Sequence, residues 1–416
     1  MKKNKNAFTL IELLAVIAIL AIILVISIPK ILDVIETSKK DSFKNAAQLI
    51  ADSAEKKYTE NEAFGEANEI TCDSVSKLNK EDYNKCTIIF DENGIAKVSI
   101  LGRGKFKGLK VIEATKTNAE VIKLEAPKYG ITAVEYINGL YEYYGDSYNL
   151  KIDNTKDQNI RYYGSNPNNY VIFNNELWRI IGVFGNNVKL IRKDSLGRFS
   201  WDSSESNVNG GWGVNEWSQS ALKNYLNTMY YGGTSVTCYN GQNKKEVTCP
   251  ANKLDNTSKS LIDNYTWNTG AIELGKASDT LAFYKDERGN LTGLINNDTV
   301  ERTTTWPGYI GLPYATDWAY ASGNDICEVN MRSKDSSNKY ICLNDNWMSK
   351  GEEYWTLSPR ASNVNDIWMV SNFVSVWTNS ASSPYALHPS IYLKNNVQII
   401  SGTGTSSDPY ILKAGV

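Results

Sequence analysis

Few side chains in this sequence have a type and spacing that predict chemistry. The chain of 416 residues contains one histidine, His388. Sites that need two or more imidazoles, such as a three-histidine zinc centre or an HExxH metalloprotease, are therefore excluded. His388 could act as a general base, but a histidine before proline in a tyrosine-rich segment is more typical of a hydrogen-bonded core residue. We expect no enzyme activity, no catalytic residue, no cofactor and no metal site.

The six cysteines fall into three local pairs, and none makes a CxxC motif. The pairs are Cys72 and Cys86, Cys238 and Cys249, and Cys327 and Cys342. Spacing alone leaves other pairings open. We expect disulfides between these neighbours, each contributing about 3 kcal/mol, in an oxidising location outside the cytoplasm. Six free thiols in a cytosolic protein is the alternative.

One carboxylate, Glu12, lies inside the otherwise apolar residues 8–28. A charge within a membrane helix costs on the order of 2.5–3.5 kcal/mol, so this side chain needs a partner. The apolar run is long enough to cross a bilayer, and the lysines before it favour a cytoplasmic N-terminus. No small-x-small site follows the run, so we expect the helix to be retained rather than removed as a signal peptide.

Apolar side chains at helical spacing continue beyond this run and predict one long helix. Pro29 is expected to kink the helix without ending it, because the pattern resumes at once. The predicted helix covers residues 8–60, transmembrane over 8–28 and amphipathic over 30–58. The amphipathic stripe consists of Phe43, Ala47, Ile50, Ala54 and Tyr58.

A lysine-rich leader followed by FTLIELL, an apolar run and a proline resembles the N-terminus of type IV prepilins and pseudopilins. The resemblance implies that a prepilin peptidase removes the leader 1–7 by cutting between Ala7 and Phe8, and that Phe8 is N-methylated. It also implies that Glu12 pairs with the Phe8 amine of a neighbouring subunit. Relatives usually carry glycine where this chain has Ala7. A plain signal anchor is the alternative.

The same resemblance implies a location and partners. Before assembly the chain would cross the cytoplasmic membrane once, with its C-terminus outside. After assembly it would lie in a cell-surface pilus or pseudopilus. Its partners would be the prepilin peptidase and methyltransferase, other pilin subunits through the N-terminal helix, and the inner membrane.

Residues 61–130 predict a small antiparallel sheet on the helix, as in a pilin head. TIIFDENGIAKVSILGRGKF indicates two strands around an Asp-Glu-Asn-Gly turn, and LKVIEA indicates a third. Residues 97–128 are rich in lysine and arginine. We favour the interpretation that these side chains form a solvated strand face that prevents edge pairing; contact with DNA, an anionic cell-wall polymer or an acidic neighbour is the alternative. The net charge of −2 also argues against a nucleic-acid partner for the whole chain.

All 11 tryptophans lie at or beyond Trp178. This shift in composition predicts a C-terminal domain over 169–416, after a helix and connector over 131–168. Its segments ELWRIIG, WTLSP and HPSIYLK resemble bacterial extracellular domains near the C-type-lectin-like and formylglycine-generating-enzyme-like folds. The last motif of those domains usually reads Arg-Pro where this chain has His388-Pro389. The fold class is therefore expected to be α+β, ending in a loop-rich mixed α/β domain with disulfide-closed loops.

Tryptophans on polar loops can stack on the apolar faces of sugar rings, although most tryptophans are core residues. Trp306, Trp318 and Trp377 are the candidates for a carbohydrate or surface ligand. The favoured hypothesis is a minor type IV pilin-like subunit that displays this domain for adhesion or recognition. The alternatives are a pseudopilin of a type II secretion or DNA-uptake apparatus, and a membrane-tethered extracellular enzyme.

Overall fold

The computed structural model describes residues 10–65, 70–75, 79–273, 279–291, 303–331, 342–372 and 375–415. The chain divides into two compact units, Met1–Glu125 and Ala126–Val416. Both combine helices with antiparallel strands, so the expected α+β class is confirmed. The finer division of the chain into five segments stays a prediction.

The first unit begins with the helix α1 (Leu10–Phe64), whose 55 residues run without interruption through Pro29. The predicted single long helix is therefore confirmed, whereas the kink at Pro29 stays a prediction. Proline removes one backbone hydrogen bond, but apolar residues at helical spacing on both sides of Pro29 favour continuation of the helix. The other elements of the unit are α2 (Cys72–Val75), β1 (Tyr83–Phe90), β2 (Ala96–Gly102), β3 (Leu109–Ala114) and β4 (Val121–Lys123).

The four strands form an antiparallel sheet in the order β1-β2-β3-β4. The Asp91 carboxylate closes the β1–β2 turn by accepting hydrogen bonds from the amides of Asn93 and Ile95, and Gly94 supplies the positive φ of 73°. The C-terminal half of α1 packs on this sheet. Its buried residues in the shared core are Phe43, Ala47, Ile50, Ala51 and Ala54. Their spacing of three and four places one helix face against the alternating inward residues of the strands.

The second unit contains most of the strands. Its helices are α3 (Ala133–Tyr144), α4 (Ala221–Asn224), which continues into a π-helical turn over Tyr225–Tyr231, α5 (Asn256–Leu261), α6 (Thr280–Glu287), α7 (Ala315–Tyr320) and α8 (Ile326–Val329). Its strands are β5 (Ile131–Thr132), β6 (Leu150–Ile152), β7 (Ile160–Tyr162), β8 (Tyr170–Phe173), β9 (Glu176–Phe184), β10 (Asn187–Arg192), β11 (Arg198–Ser200), β12 (Cys238–Tyr239), β13 (Glu246–Val247), β14 (Tyr265–Asn268), β15 (Thr305–Gly308), β16 (Ile310–Gly311), β17 (Tyr354–Pro359), β18 (Asp366–Ser371), β19 (Ser375–Ser380), β20 (Pro384–Ala386), β21 (Ser390–Tyr392), β22 (Gln398–Ser401) and β23 (Tyr410–Lys413).

A ten-stranded sheet, ordered β16-β21-β10-β9-β8-β23-β22-β5 with β6 and β7 attached through β9, is the centre of this unit. The order of a second, five-stranded sheet is β11-β20-β17-β18-β19. Strand β9 pairs with β8 through its first half and with β7 through its second half. Gly182 permits the second pairing, because a Cβ atom there would lie 2.1 Å from the Ile160 carbonyl oxygen. That close approach places Arg161 opposite Gly182, in the interior of the unit.

Aromatic rings fill the core of the second unit. Seven tryptophans are fully buried, namely Trp178, Trp201, Trp217, Trp267, Trp318, Trp355 and Trp368. The rings of Tyr265 and Tyr392 stack with centroids 3.6 Å apart. Most tryptophans of this chain are therefore core residues, as expected.

Candidate functional site

The first half of α1 presents a continuous apolar surface. Its exposed residues are Leu10, Ile11, Leu13, Leu14, Val16, Ile17, Ile19, Leu20, Ile22, Ile23, Leu24, Val25, Ile28, Ile31, Leu32, Val34 and Ile35, with exposed fractions between 46% and 81%. Complete burial of one such side chain is favourable by about 1.5–3 kcal/mol, and this free energy is lost when the side chain stays in water. Such a surface fits contact with lipid or with other apolar helices. The segment is long and apolar enough to cross a membrane, with a mean hydropathy of 3.1 in its best window.

Glu12 lies in the first turn of the described helix, within this apolar surface. The predicted cleavage and methylation site, Ala7 and Phe8, lies outside the described residues. Its assignment stays a prediction.

Four lysines of the basic segment 97–128 pair with carboxylates of the first unit. The pairs are Lys97 with Glu113 at 3.5 Å, Lys105 with Asp82 at 2.8 Å, Lys116 with Glu55 at 2.7 Å and Lys123 with Glu36 at 2.7 Å. Hydrogen bonds from Lys123 and Lys40 hold the pKa of Glu36 below its ordinary value. The hydrogen bond to Glu55 raises the pKa of Lys116. This pairing reduces the positive charge available to an anionic partner and fits a solvated strand face.

The structure joins the cysteines as three neighbouring pairs. The bridges are Cys72–Cys86, Cys238–Cys249 and Cys327–Cys342, with Cα atoms 6.1, 5.2 and 5.6 Å apart. The first connects α2 to β1, and the other two close loops of the second unit. Persistence of such bonds requires an oxidising environment.

The three candidate tryptophans differ in exposure. Trp318 is fully buried in α7, and its indole N–H donates to Ser349 Oγ at 3.1 Å. Its ring has no face for a sugar, so the prediction of a ligand-binding role for Trp318 is wrong. The partner of its N–H, Ser349, lies 31 residues further along the chain. Trp306 is partly exposed and packs edge-on against Trp217, with ring centroids 5.9 Å apart. Trp377 on β19 is 39% exposed.

A further exposed ring, Trp212, escaped the sequence reasoning. It is 43% exposed and belongs to a glycine-rich turn in which Gly210 and Gly213 have positive φ angles of 60° and 75°. Ser380 Oγ lies 3.5 Å from the Trp212 carbonyl oxygen, so this turn adjoins the strand that carries Trp377. The flanking sequence NGGWG was the available signal, because glycines on both sides of a tryptophan are typical of a surface turn.

His388 is fully buried, with both ring nitrogens within hydrogen-bonding distance of a partner. Nδ1 donates to the Arg192 carbonyl oxygen at 3.1 Å, and Nε2 lies 3.0 Å from Glu352 Oε1. Burial and the nearby ammonium group of Lys350 lower the pKa of His388 to about 4. A ring held in this way offers no nitrogen to a substrate. The geometry therefore favours a structural role over a general base.

Four charged side chains form an ion-pair network inside the second unit. Arg161 Nε lies 2.9 Å from Asp153 Oδ2, and its Nη1 lies 2.6 Å from Asp317 Oδ1. Lys189 Nζ lies 2.6 Å from Asp317 Oδ2. Each of these side chains is at most 1% exposed. Burial would raise the pKa of Asp317, but the cations of Lys189 and Arg161 outweigh burial and hold it below its ordinary value.

No local pattern in the sequence predicts this network. Lys189 interrupts an apolar strand, NVKLIR, where alternation predicts an outward-facing polar residue. Arg161, Lys189 and Asp317 lie far apart in the chain, on β7, β10 and α7. Asp153 directly follows β6, eight residues before Arg161. Because buried ions need partners in space rather than in sequence, only the fold brings them together.

Comparison with known proteins identifies the N-terminal segment. The family model of the prokaryotic N-terminal methylation motif matches residues 2–28. No curated protein and no solved structure matches the chain. The matched residues include Ala7, Phe8 and Glu12 together with the apolar segment that follows.

The chain therefore has the N-terminus of a type IV pilin-like precursor. This motif implies processing by a prepilin peptidase and assembly with other pilins, and with the long apolar helix it fits anchoring in a membrane before assembly. The expected lectin-like or formylglycine-generating-enzyme-like fold of residues 169–416 stays a prediction.

Proposed function

We propose that this chain is a minor pilin of the type IV class, cleaved before Phe8 and assembled into a surface filament. The observation that carries the proposal is the exposed apolar half of α1, in the segment that matches the N-terminal methylation motif. In a filament, the apolar segments of neighbouring subunits cover one another and remove this surface from both lipid and water.

Assembly through this helix explains the carboxylate at Glu12. Cleavage before Phe8 creates a new α-amino group, and a carboxylate in an apolar helix bundle is stabilised when it pairs with a cation. Contact between Glu12 and the Phe8 amine of the next subunit satisfies both charges. Such a pair fixes the register of the subunits more than it adds stability.

In this proposal the two units of the subunit have different roles. The four-stranded sheet packed on α1 acts as the pilin-like head. The second unit, with its aromatic core and two disulfides, is a display domain for adhesion or recognition rather than an enzyme. Trp377, Trp306 and the exposed Trp212 are its candidate contacts for a carbohydrate, because an exposed indole stacks on the apolar face of a sugar ring. A unit of this size suits occasional display on a filament built mainly of other subunits.

Filament incorporation tests this function. The variant Glu12→Ala is compared with Glu36→Ala, which removes an exposed carboxylate of the same helix that pairs with Lys123. We expect the chain in the sheared surface-filament fraction to fall at least about tenfold for Glu12→Ala, as loss of a buried charge pair predicts. The control variant should match the wild type. Equal incorporation of all three chains would contradict assembly through Glu12.

The abundance of this chain in purified filaments and the binding of those filaments to glycans distinguish a minor pilin from a major pilin and from a pseudopilin. A minor pilin is a small fraction of the purified filament protein, whereas a shaft composed mainly of this chain would contradict that role. Loss of filament binding to immobilised glycans in Trp377→Ala, with incorporation unchanged, supports the display role. Filaments that bind no glycan, combined with a loss of protein secretion or DNA uptake when the chain is deleted, would instead identify a pseudopilin.

A further inference from the structure

Lys189 and Asp317 meet at the centre of the second unit, on β10 and α7. Lys189 Nζ lies 2.6 Å from Asp317 Oδ2, and both side chains are 0% exposed. The two residues are 128 positions apart in the chain. A primary amine and a carboxyl group are therefore held in contact, away from solvent, by two different elements of the fold.

The surroundings of this amine are aromatic. Lys189 Nζ lies 4.1 Å from the ring centroid of Tyr314, 5.2 Å from that of Trp267 and 5.4 Å from that of Tyr392. Burial lowers the pKa of Lys189 to about 8, against the opposing effect of Asp317. The cations beside Asp317 favour its carboxylate form, and the low polarity of the site reduces the preference of the pair for two ions over a neutral amine and a neutral acid. Transfer of one proton across the short contact produces that neutral pair.

Arg161 is placed to assist attack on the carboxyl group. Its Nη1 lies 2.6 Å from Asp317 Oδ1, the oxygen that does not contact Lys189, and Asp153 holds the guanidinium from the other side at 2.9 Å. The Tyr314 amide donates to Asp317 Oδ2 at 2.9 Å and fixes the orientation of the carboxyl group. A fixed cation beside a carboxyl oxygen stabilises the negative charge that develops there when a nucleophile adds to the carbon.

We propose that Lys189 and Asp317 form an intramolecular amide crosslink after folding. The lone pair of the neutral Nζ adds to Cγ of the protonated carboxyl group, and the charge that develops on Oδ1 is stabilised by Arg161. The C–Oδ2 bond then breaks, and Oδ2 leaves as water with its own proton and one proton from the amine. One C–N bond replaces one C–O bond, and no oxidant or other reactant is needed. The remaining pair, Arg161 and Asp153, is electrically balanced.

Two exposed lysine–glutamate ion pairs of the same chain differ from the Lys189–Asp317 pair in burial. Lys116 lies 2.7 Å from Glu55 and Lys123 lies 2.7 Å from Glu36, but the lysine side chains are 53% and 59% exposed. Water stabilises their ionic forms and competes for the carboxyl carbon. Contact distance alone therefore does not predict an amide, and these two lysines serve as internal controls.

Peptide mapping of the full-length protein, reduced, alkylated and digested with trypsin, tests the proposal. We expect residues 180–192 to be joined to residues 303–332 in one species, lighter than the sum of the two peptides by one water. Trypsin will not cut after Lys189 because its amine is acylated. Free peptides that end at Lys116 and Lys123 are expected in the same digest.

Recovery of peptide 180–189 with a free C-terminal Lys189, together with an unmodified peptide that contains Asp317, would overturn the proposal. The result concerns the wild-type chain and does not depend on whether a variant folds. In Lys189→Met the amine is absent, so the joined species should disappear and the peptide with Asp317 should be recovered at its unmodified mass. If a joined species persisted in that variant, the crosslink would involve other residues and the assignment would be wrong.

Discussion

At the residue scale, burial decides what each polar side chain can do. His388 is the only histidine of the chain, and it lies inside the core between the Arg192 carbonyl and Glu352. Lys350, which faces the same ring, donates to the Arg192 and Lys193 carbonyls at 3.3 and 3.0 Å. The imidazole is therefore kept neutral by burial and by a neighbouring cation rather than exposed for catalysis.

This arrangement predicts a dependence of stability on pH. The pKa of His388 falls from 6.5 to about 4 in the folded chain, so the unfolded chain takes up this proton first as the pH is lowered. The stabilisation is complete above pH 6.5 and is lost as the pH falls towards 4. We expect the Tm of the second unit to fall over this window and the profile of His388→Gln to be flatter. Parallel wild-type and variant profiles would contradict the account.

Residues whose role follows from a local sequence pattern could be predicted from the sequence. Residues whose role depends on contacts with distant parts of the chain could not. The cysteine spacing and the setting of His388 are local patterns, and the structure agrees with both interpretations. Trp318 was misjudged because polar neighbours in sequence say nothing about the Ser349 hydroxyl that satisfies its indole. The partners Arg161 and Asp317 come from segments far apart in the chain, so no window of sequence contains their pairing.

At the element scale, α1 has two halves with different environments. Its first half exposes large apolar residues all around, whereas its second half buries one narrow face made largely of alanine. The periodicity of the sequence predicts both halves, because an apolar stripe with a period near 3.6 differs plainly from an unbroken apolar run. The short strands of the second unit are harder to predict, because strands of two or three residues contain too little pattern to detect.

The packing of the second half predicts opposite outcomes for two neighbouring positions. Ala47 is 0% exposed against the sheet, whereas Leu49, two residues further on, is 66% exposed. In Ala47→Leu the added side chain overpacks the interface and should cost about 1–3 kcal/mol in the free energy of unfolding. Leu49→Ala should change it by no more than about 0.5 kcal/mol. Urea unfolding of the detergent-solubilised subunit measures both, and the reverse order would show that the helix face is wrongly assigned.

At the scale of the whole molecule, the exposed apolar half of α1 and the three disulfides are both consistent with the proposed pilin-like subunit. In the proposed assembly, lipid covers the apolar half of α1 before filament formation and other helices cover it afterwards. The three disulfides close separations of 14, 11 and 15 residues, and under oxidising conditions each contributes about 3 kcal/mol to the free energy of unfolding. The N-terminal motif was readable from the sequence because it is a short linear signal. A ligand-binding surface on the second unit, as proposed here, would be assembled from distant loops, which no linear signal describes.

The measurement that tests the central claim most directly is the N-terminal sequence and intact mass of the chain after co-expression with a prepilin peptidase. The account predicts a chain that begins at N-methylated Phe8, with the leader 1–7 removed. Ala7→Gly serves as the control for the small residue before the cut and should give the same terminus, at an equal or faster rate. A wild-type chain and an Ala7→Gly chain that both still begin at Met1, with the bond before Phe8 intact, would contradict the assignment of this protein as a processed pilin.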